Sequence, residues 1–170
     1  PFRCHSRFCP TCGNKYAMDR TTSVSFKLVN VTHRHCVFTI TEQLCSFFLQ
    51  DRSLLNYLFS SVRSVVLHMF HKSNKSKLFT PGFISVLHTF GRNLKWNPHI
   101  HCLISDGGVS NDNFWRKVTH FNYSYLRNAF CTALLNELHN KLGSSFKKTK
   151  SFIYSHCKNG FYIYAKPNLC

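Results

Sequence analysis

Three histidines near the middle of the chain have the spacing of a metal site. His99 and His101 are two residues apart in a strand-like stretch, so both rings leave the same face about 7 Å apart along the strand. An apolar stretch before them carries His88, and the loop between the two stretches contains Gly91. If the stretches pair so that Phe90 faces His99, then His88 faces His101. That register predicts three imidazoles around one divalent cation.

The spacing has an alternative explanation, because the chain contains 11 histidines and a second His-x-His pair at His33 and His35. Isolated histidines on strands are commonly surface residues. The loop favours the metal site, since Asn97-Pro98 ends it sharply and places the pair near the start of its strand.

A second group of metal-binding residue types opens the chain. Cys9 and Cys12 have the C-x2-C spacing of a zinc site, a glycine follows them, and Cys4 is a candidate third ligand. His5 is awkwardly placed as a fourth ligand because it adjoins Cys4, so we expect the fourth ligand before Pro1. A redox C-x-x-C pair is the alternative.

The charge of the chain favours a polyanionic partner. Twenty-two Lys and Arg residues face 6 Asp and Glu residues, giving a net charge of +16, and nucleic acid is the first candidate. A generic basic surface and a membrane surface are the alternatives. The chain contains no stretch of 18 uninterrupted apolar residues, so the sequence predicts no membrane span.

Five residues are candidate DNA contacts because they place cations beside an aromatic ring or in the central loop. They are Arg92, Lys95, Trp115, Arg116 and Lys117. For the last three, a core tryptophan with a solvated basic flank is an equal alternative.

Hydrophobic periodicity predicts a chain that contains both strands and helices. A strand is expected at 34–40, a helix after Asp51, and a helix from Tyr123 to Leu142 that ends at Gly143. The remaining expectations are strands at 83–90 and 98–105, turns at 81–82, 106–108 and 147–150, and a last hairpin of 152–157 with 161–165.

Three segments resemble bacterial insertion-sequence transposases that move by a rolling-circle mechanism. Residues 4–13 resemble the end of their zinc-binding domain, and 161–167 resemble the strand ahead of their tyrosine motif. Residues 87–104 closely resemble their HUH motif (His, hydrophobic, His). The chain is thereby identified as a member of the two-tyrosine HUH family, with part of a zinc-binding domain at 1–20 and an HUH endonuclease domain at 30–170.

The resemblance implies an α+β fold in which an antiparallel sheet is flanked by helices. It also implies an endonuclease and strand transferase acting on single-stranded DNA, in the bacterial cytoplasm with the nucleoid. His99 and His101 would be metal ligands, with His88 as a candidate third. The cofactors would be zinc at the cysteines and Mn²⁺ or Mg²⁺ at the histidines, where imidazoles suit Mn²⁺ better. A tyrosine would attack the scissile phosphate and keep the 5′ phosphate as a phosphotyrosine. No membrane partner is expected.

The tyrosine motif is where the chain departs from the family. No two tyrosines have the expected Tyr-x-x-x-Tyr spacing, so we expect the nucleophiles after Cys170 and a fragment that binds without cleaving. Two rival functions remain: a non-catalytic, zinc-dependent nucleic-acid binder, and a metal-dependent phosphodiesterase that uses water, for which Asp106 is the nearest carboxylate.

Overall fold

The computed structural model describes residues 3–6, 8–73, 79–118 and 121–165, and the chain divides into two compact units, residues 1–31 and 32–170. The first unit contains helix α1, Pro10–Ser25. Its first turn begins after Cys9 with a proline, a residue whose fixed φ suits that position.

The second unit is built on one antiparallel sheet with the strand order β2-β3-β1-β5, and β4 pairs with the far end of β3. Helices α2 to α5 and two short 3₁₀ turns, Arg52–Leu54 and Gly143–Phe146, complete the unit. The elements are β1 His33–Phe38, α2 Glu42–Gln50, α3 Leu55–Ser73, β2 Phe79–Phe90, β3 Trp96–Ser110, β4 Trp115–Lys117, α4 Tyr123–Leu142, α5 Lys147–His156 and β5 Ile163–Ala165. The predicted α+β fold is confirmed.

The hydrophobic core lies on one face of this sheet. Ile100, Cys102 and Ile104 of β3 are fully buried, and so are Cys36 and Phe38 of β1. Because side chains alternate along a strand, the residues between them point to the opposite face. That alternation places the odd-numbered histidines of both strands away from the core.

Helices α3 and α4 each contribute a stripe of buried apolar side chains to the core. Helix α4 runs from Tyr123 to Leu142, with the Asn122 side chain accepting a hydrogen bond from the Tyr125 amide and Gly143 ending it at φ 69°. Asp51 caps the turn that leads into α3 by accepting from the Ser53 amide. Among the described residues, no helix is long and apolar enough to cross a membrane.

Two predicted turns are wrong, because their glycines lie within strands. Residues 106–108 belong to β3, where a Cβ on Gly107 would lie 2.2 Å from the Arg116 carbonyl oxygen and one on Gly108 2.2 Å from that of Thr80. These glycines allow close approach of neighbouring backbones rather than a reversal of the chain. Residues 81–82 belong to β2, at an irregularity in its register with β3.

The predicted last hairpin is also wrong, and so is the turn at 147–150. Both segments contribute to α5, which buries Ile153, and within the described residues it is followed by the short strand β5. A short apolar run such as 152–157 fits a helix or a strand equally well by pattern alone. The turn before β5 is present, since the Gly160 amide donates to the Cys157 carbonyl.

Candidate metal centre

Three histidines from two paired strands form a compact cluster on the sheet face opposite the core. His88 comes from β2, and His99 and His101 come from β3. One ring nitrogen from each lies within 4.8 Å of one from each of the others. The ring centroid of His88 is 4.1 Å from that of His101 and 5.5 Å from that of His99. His88 is exposed and the other two are half-buried, so the cluster is open to solvent.

The strand register that brings the three histidines together differs from the predicted one. His88 pairs with His99, and Val86 pairs with His101. The loop is tighter than expected, because Phe90 already pairs with Trp96 and the register shifts between His88 and Phe90. The predicted pairing of His88 with His101 is therefore wrong. All three rings still share a face, since the error is an even number of residues and leaves the alternation unchanged.

The cluster favours neutral imidazoles. Burial, together with the neighbouring His88, His99 and His35, lowers the pKa of His101 to about 4. Burial and the same kind of histidine neighbours also lower the pKa of His88. A neutral imidazole has a free lone pair, which is the form that binds a metal. Three neutral nitrogen donors within reach of each other fit a divalent transition-metal ion.

Backbone and side-chain contacts fix the rings of both β3 histidines. Nδ1 of His99 lies 2.6 Å from the Asn97 carbonyl oxygen, and Nδ1 of His101 lies 2.9 Å from Nε2 of His35. The ring of His35 stacks on that of His101 with centroids 5.0 Å apart. In both ligand candidates, Nε2 is therefore the nitrogen that remains available.

The cysteine cluster of the first unit is a separate site. The sulfur atoms of Cys4, Cys9 and Cys12 lie within 4.8 Å of one another, and those of Cys4 and Cys12 are 3.7 Å apart. A hydrogen bond from the Cys12 backbone lowers the pKa of Cys9, with a further contribution from Cys4. Cys9 also lies at the N-terminus of α1, where a thiolate is stabilised. Converging thiolates at this spacing fit zinc.

Comparison with known families gives two matches, and each of them contains one of the clusters. Residues 82–169 match the family model described as "Putative transposase", and residues 1–40 match "Transposase zinc-binding domain". The chain belongs to this transposase family. The first match contains all three clustered histidines, and the second contains all three clustered cysteines.

Two transposase relatives illustrate the similarity. The chain is 31% identical over 116 residues to "Transposase for insertion sequence element IS801" of Pseudomonas savastanoi pv. phaseolicola, an alignment that covers 68% of this chain. It is 29% identical over 109 residues, or 64% of its length, to "Putative transposase y4qJ" of Sinorhizobium fredii (strain NBRC 101917 / NGR234). In each case the alignment spans only 27% of the relative.

The candidate DNA contacts of this transposase chain fall into two places. Arg92 and Lys95 are exposed in the loop that joins β2 to β3, next to the strand ends that carry His88 and His99. Trp115, Arg116 and Lys117 form β4, which pairs with residues 107–109. At about 3.3 Å per residue, that part of β3 lies roughly 20 Å from His101.

Both β4 cations have acidic partners. A nitrogen of Arg116 lies 2.6 Å from a carboxylate oxygen of Asp112, and Lys117 Nζ lies 3.3 Å from one of Asp106. Trp115 is 38% exposed, which does not fit a core tryptophan. Asp106 is buried against Lys117 and far along β3 from the histidines, so it is poorly placed as a general base.

His35 contacts the cluster through His101 and was not among the site residues predicted from the sequence. A signal was available, because the apolar Cys36 and Phe38 alternate in the predicted strand at 34–40 and so mark its core face. His35 must then point to the opposite face, as His99 and His101 do. What the sequence did not specify is that β1 lies beside β3, with His35 facing Leu103 across the ladder.

Proposed function

We propose that this chain is the metal-binding part of a transposase that moves an insertion sequence by nicking single-stranded DNA and transferring the nicked strand. The observation that carries the proposal is the convergence of His88, His99 and His101 on one solvent-open face of the sheet. The chain's membership in a transposase family supports DNA as the substrate. Such a protein would act where bacterial DNA lies, in the cytoplasm.

The three histidines would hold the divalent cation through neutral imidazole nitrogens. When bound, the cation would polarise the scissile phosphate as a Lewis acid. The sheet contributes rigidity, because the core beneath β3 fixes the backbone between His99 and His101. Three imidazoles favour Mn²⁺ over Mg²⁺, which prefers oxygen ligands.

Single-stranded DNA would be drawn to the same face by charge. The net charge of +16 attracts a polyanion, and Arg92 and Lys95 place two exposed cations at the loop beside the histidines. Ion pairing with acidic residues weakens the case for Arg116 and Lys117 as phosphate contacts. We therefore propose that the DNA passes the end of the sheet where the loop joins β2 to β3.

The strand-transfer step requires a tyrosine nucleophile, which would keep the 5′ phosphate and release a 3′ hydroxyl. The chain has no tyrosine pair at Tyr-x-x-x-Tyr spacing. Tyr162 and Tyr164 belong to the segment that resembles the strand ahead of that motif, of which Lys166 and Pro167 lie outside the described residues. We propose that the 170-residue chain alone binds metal and DNA without forming a covalent adduct.

A direct test compares the wild-type chain with the double variant H99A/H101A. The matched control is H71A/H156A, which removes two exposed histidines outside the cluster. With zinc supplied at one equivalent for the cysteines, Mn²⁺ binding is measured by titration calorimetry. We expect wild type and control to bind one Mn²⁺ and the H99A/H101A variant to bind none.

The same proteins are then mixed with 5′-labelled single-stranded DNA. We expect binding that weakens steeply with salt and, on denaturing gels, no protein-linked DNA. Equal Mn²⁺ binding by H99A/H101A and wild type would contradict the metal centre and favour a zinc-dependent nucleic-acid binder. A covalent adduct would contradict the inactivity of this chain, and cleavage to free ends would favour hydrolysis by water.

A further inference from the structure

His35 contacts the ligand candidate His101 but is not itself one of the three ligand candidates. Its Nε2 lies 2.9 Å from Nδ1 of His101, and the two rings stack with an interplanar angle of 26°. Among the described residues, the group of potential ligands that converge within 4.8 Å contains His88, His99 and His101 but not His35. His35 is thus placed behind His101, on the side of its ring that the cation would not occupy.

The proton on His99 is fixed by its partner. The Asn97 carbonyl oxygen can only accept, so Nδ1 of His99 donates the hydrogen bond and Nε2 keeps the lone pair. His101 requires the same tautomer in order to bind a cation through Nε2. Its Nδ1 partner is an imidazole, which can either donate or accept, so the direction of this hydrogen bond decides whether His101 can be a ligand.

We propose that His35 is a positioning residue that accepts the Nδ1–H of His101 and so presents the His101 Nε2 lone pair to the cation. This inference rests on the proposed metal site. His35 then carries its own proton on Nδ1, and the stacked rings hold the plane of His101. The reverse direction, with His35 donating, would leave a proton on His101 Nε2 and remove a ligand.

The place of His35 in the sheet explains why it can hold this orientation. It follows Arg34 on β1 and pairs with Leu103, so it lies diagonally across the ladder from His101. Its neighbour Cys36 is fully buried on the core face. The backbone of β1 is therefore fixed by the core, and this fixes the point from which the imidazole of His35 reaches His101.

The first measurement determines the tautomer of His101 in the wild type and in the variant H35L. In the histidine-¹⁵N-labelled chain with zinc only at its cysteines, ring ¹⁵N shifts report which nitrogen of His101 carries the proton. We expect the Nδ1–H tautomer in the wild type and a shift towards Nε2–H in H35L, which has no acceptor. A wild-type His101 with its proton on Nε2 would overturn the proposal.

The second measurement is Mn²⁺ affinity. Loss of such an outer partner commonly weakens metal binding about 10–100-fold, and we expect that loss in H35L. H35Q, whose amide oxygen can accept from Nδ1, should recover most of the affinity. H33L is the matched control, since His33 lies on the same strand and face but pairs with Ser105; it should bind as the wild type does.

The outcomes separate this inference from the proposed function. If the wild type and H99A/H101A bind Mn²⁺ alike, the metal site itself fails. If the wild type binds Mn²⁺, H99A/H101A does not bind it, and H35L has the same affinity as H33L, the metal site is supported and the proposed role of His35 is contradicted. If H35Q is as weak as H35L, the imidazole itself is needed, as for a fourth ligand, and the acceptor role is overturned.

Discussion

The cysteines and the histidines converge to similar distances but are supported differently. Cys4, Cys9 and Cys12 are close in sequence, and α1, which the structure describes throughout, has no buried side chain. The histidines come from two strands whose other face carries the fully buried Ile100. The first cluster depends on a short local segment, and the second depends on a sheet and its core.

This difference predicts what a bound metal would do at each site. A segment without a core gains little free energy from burial, so the bound ion supplies the stabilisation that packing does not. A cluster on a packed sheet is held in place before any ion arrives. We therefore expect zinc to be a structural element of the first unit, and an ion bound at the histidines to be available for chemistry.

The largest expected effect is the loss of order in the first unit when zinc is removed. Chelation, or the variant C9A/C12A, should speed amide hydrogen exchange throughout α1 to the rate of an unfolded peptide. Amides of β2 and β3 should keep their protection, because the core of the second unit is unchanged. Hydrogen exchange followed by mass spectrometry measures both.

The control for this experiment is C45A, which removes a half-buried cysteine of the second unit. It should leave α1 protected as long as zinc is present. Equal protection of α1 with and without zinc would show that the first unit is ordered by something other than its metal.

A smaller effect should follow from truncating one apolar side chain in each unit. Ile100, which lies between His99 and His101 in the sequence, is fully buried on the core face. The variant I100A should lower the free energy of unfolding by about 2–5 kcal/mol. Met18 of α1 is 69% exposed, and M18A should change the free energy of unfolding by less than about 0.5 kcal/mol. Urea unfolding followed by circular dichroism gives both values. Similar losses in the two variants would contradict the contrast between a packed and an unpacked unit.

The smallest effect concerns pH and the histidine face. The pKa of His101 falls from an ordinary 6.5 to about 4 on folding, chiefly through burial. Between these values the unfolded chain binds a proton that the folded chain does not, so stability is lost as pH falls through this range. Without added divalent cation, the urea midpoint should therefore drop from pH 7 to pH 4.

The variant H101Q isolates the contribution of His101, since glutamine does not titrate. Its urea midpoint should depend less steeply on pH over the same range. An equally steep dependence in H101Q and wild type would assign the pH effect to other groups, of which His88 is the first to test because its pKa is lowered in the same way.

Local patterns in the sequence determined much of the second unit. Asn122 and Gly143 defined α4 at both ends, because a capping side chain and a positive φ act within one helical turn. The alternation around Ile100 placed His99 and His101 on one face. That inference survived an error in register, since an even shift preserves the face.

The tertiary structure decided what depends on which backbones become neighbours. Pairing of β1 with β3 brought His35 to His101, and close approach of other strands explains Gly107 and Gly108. Burial of Ile153 against the rest of the core turned an ambiguous apolar run into α5. These outcomes arise from contacts between residues far apart in the sequence, whereas side-chain periodicity and capping are properties of a few consecutive residues.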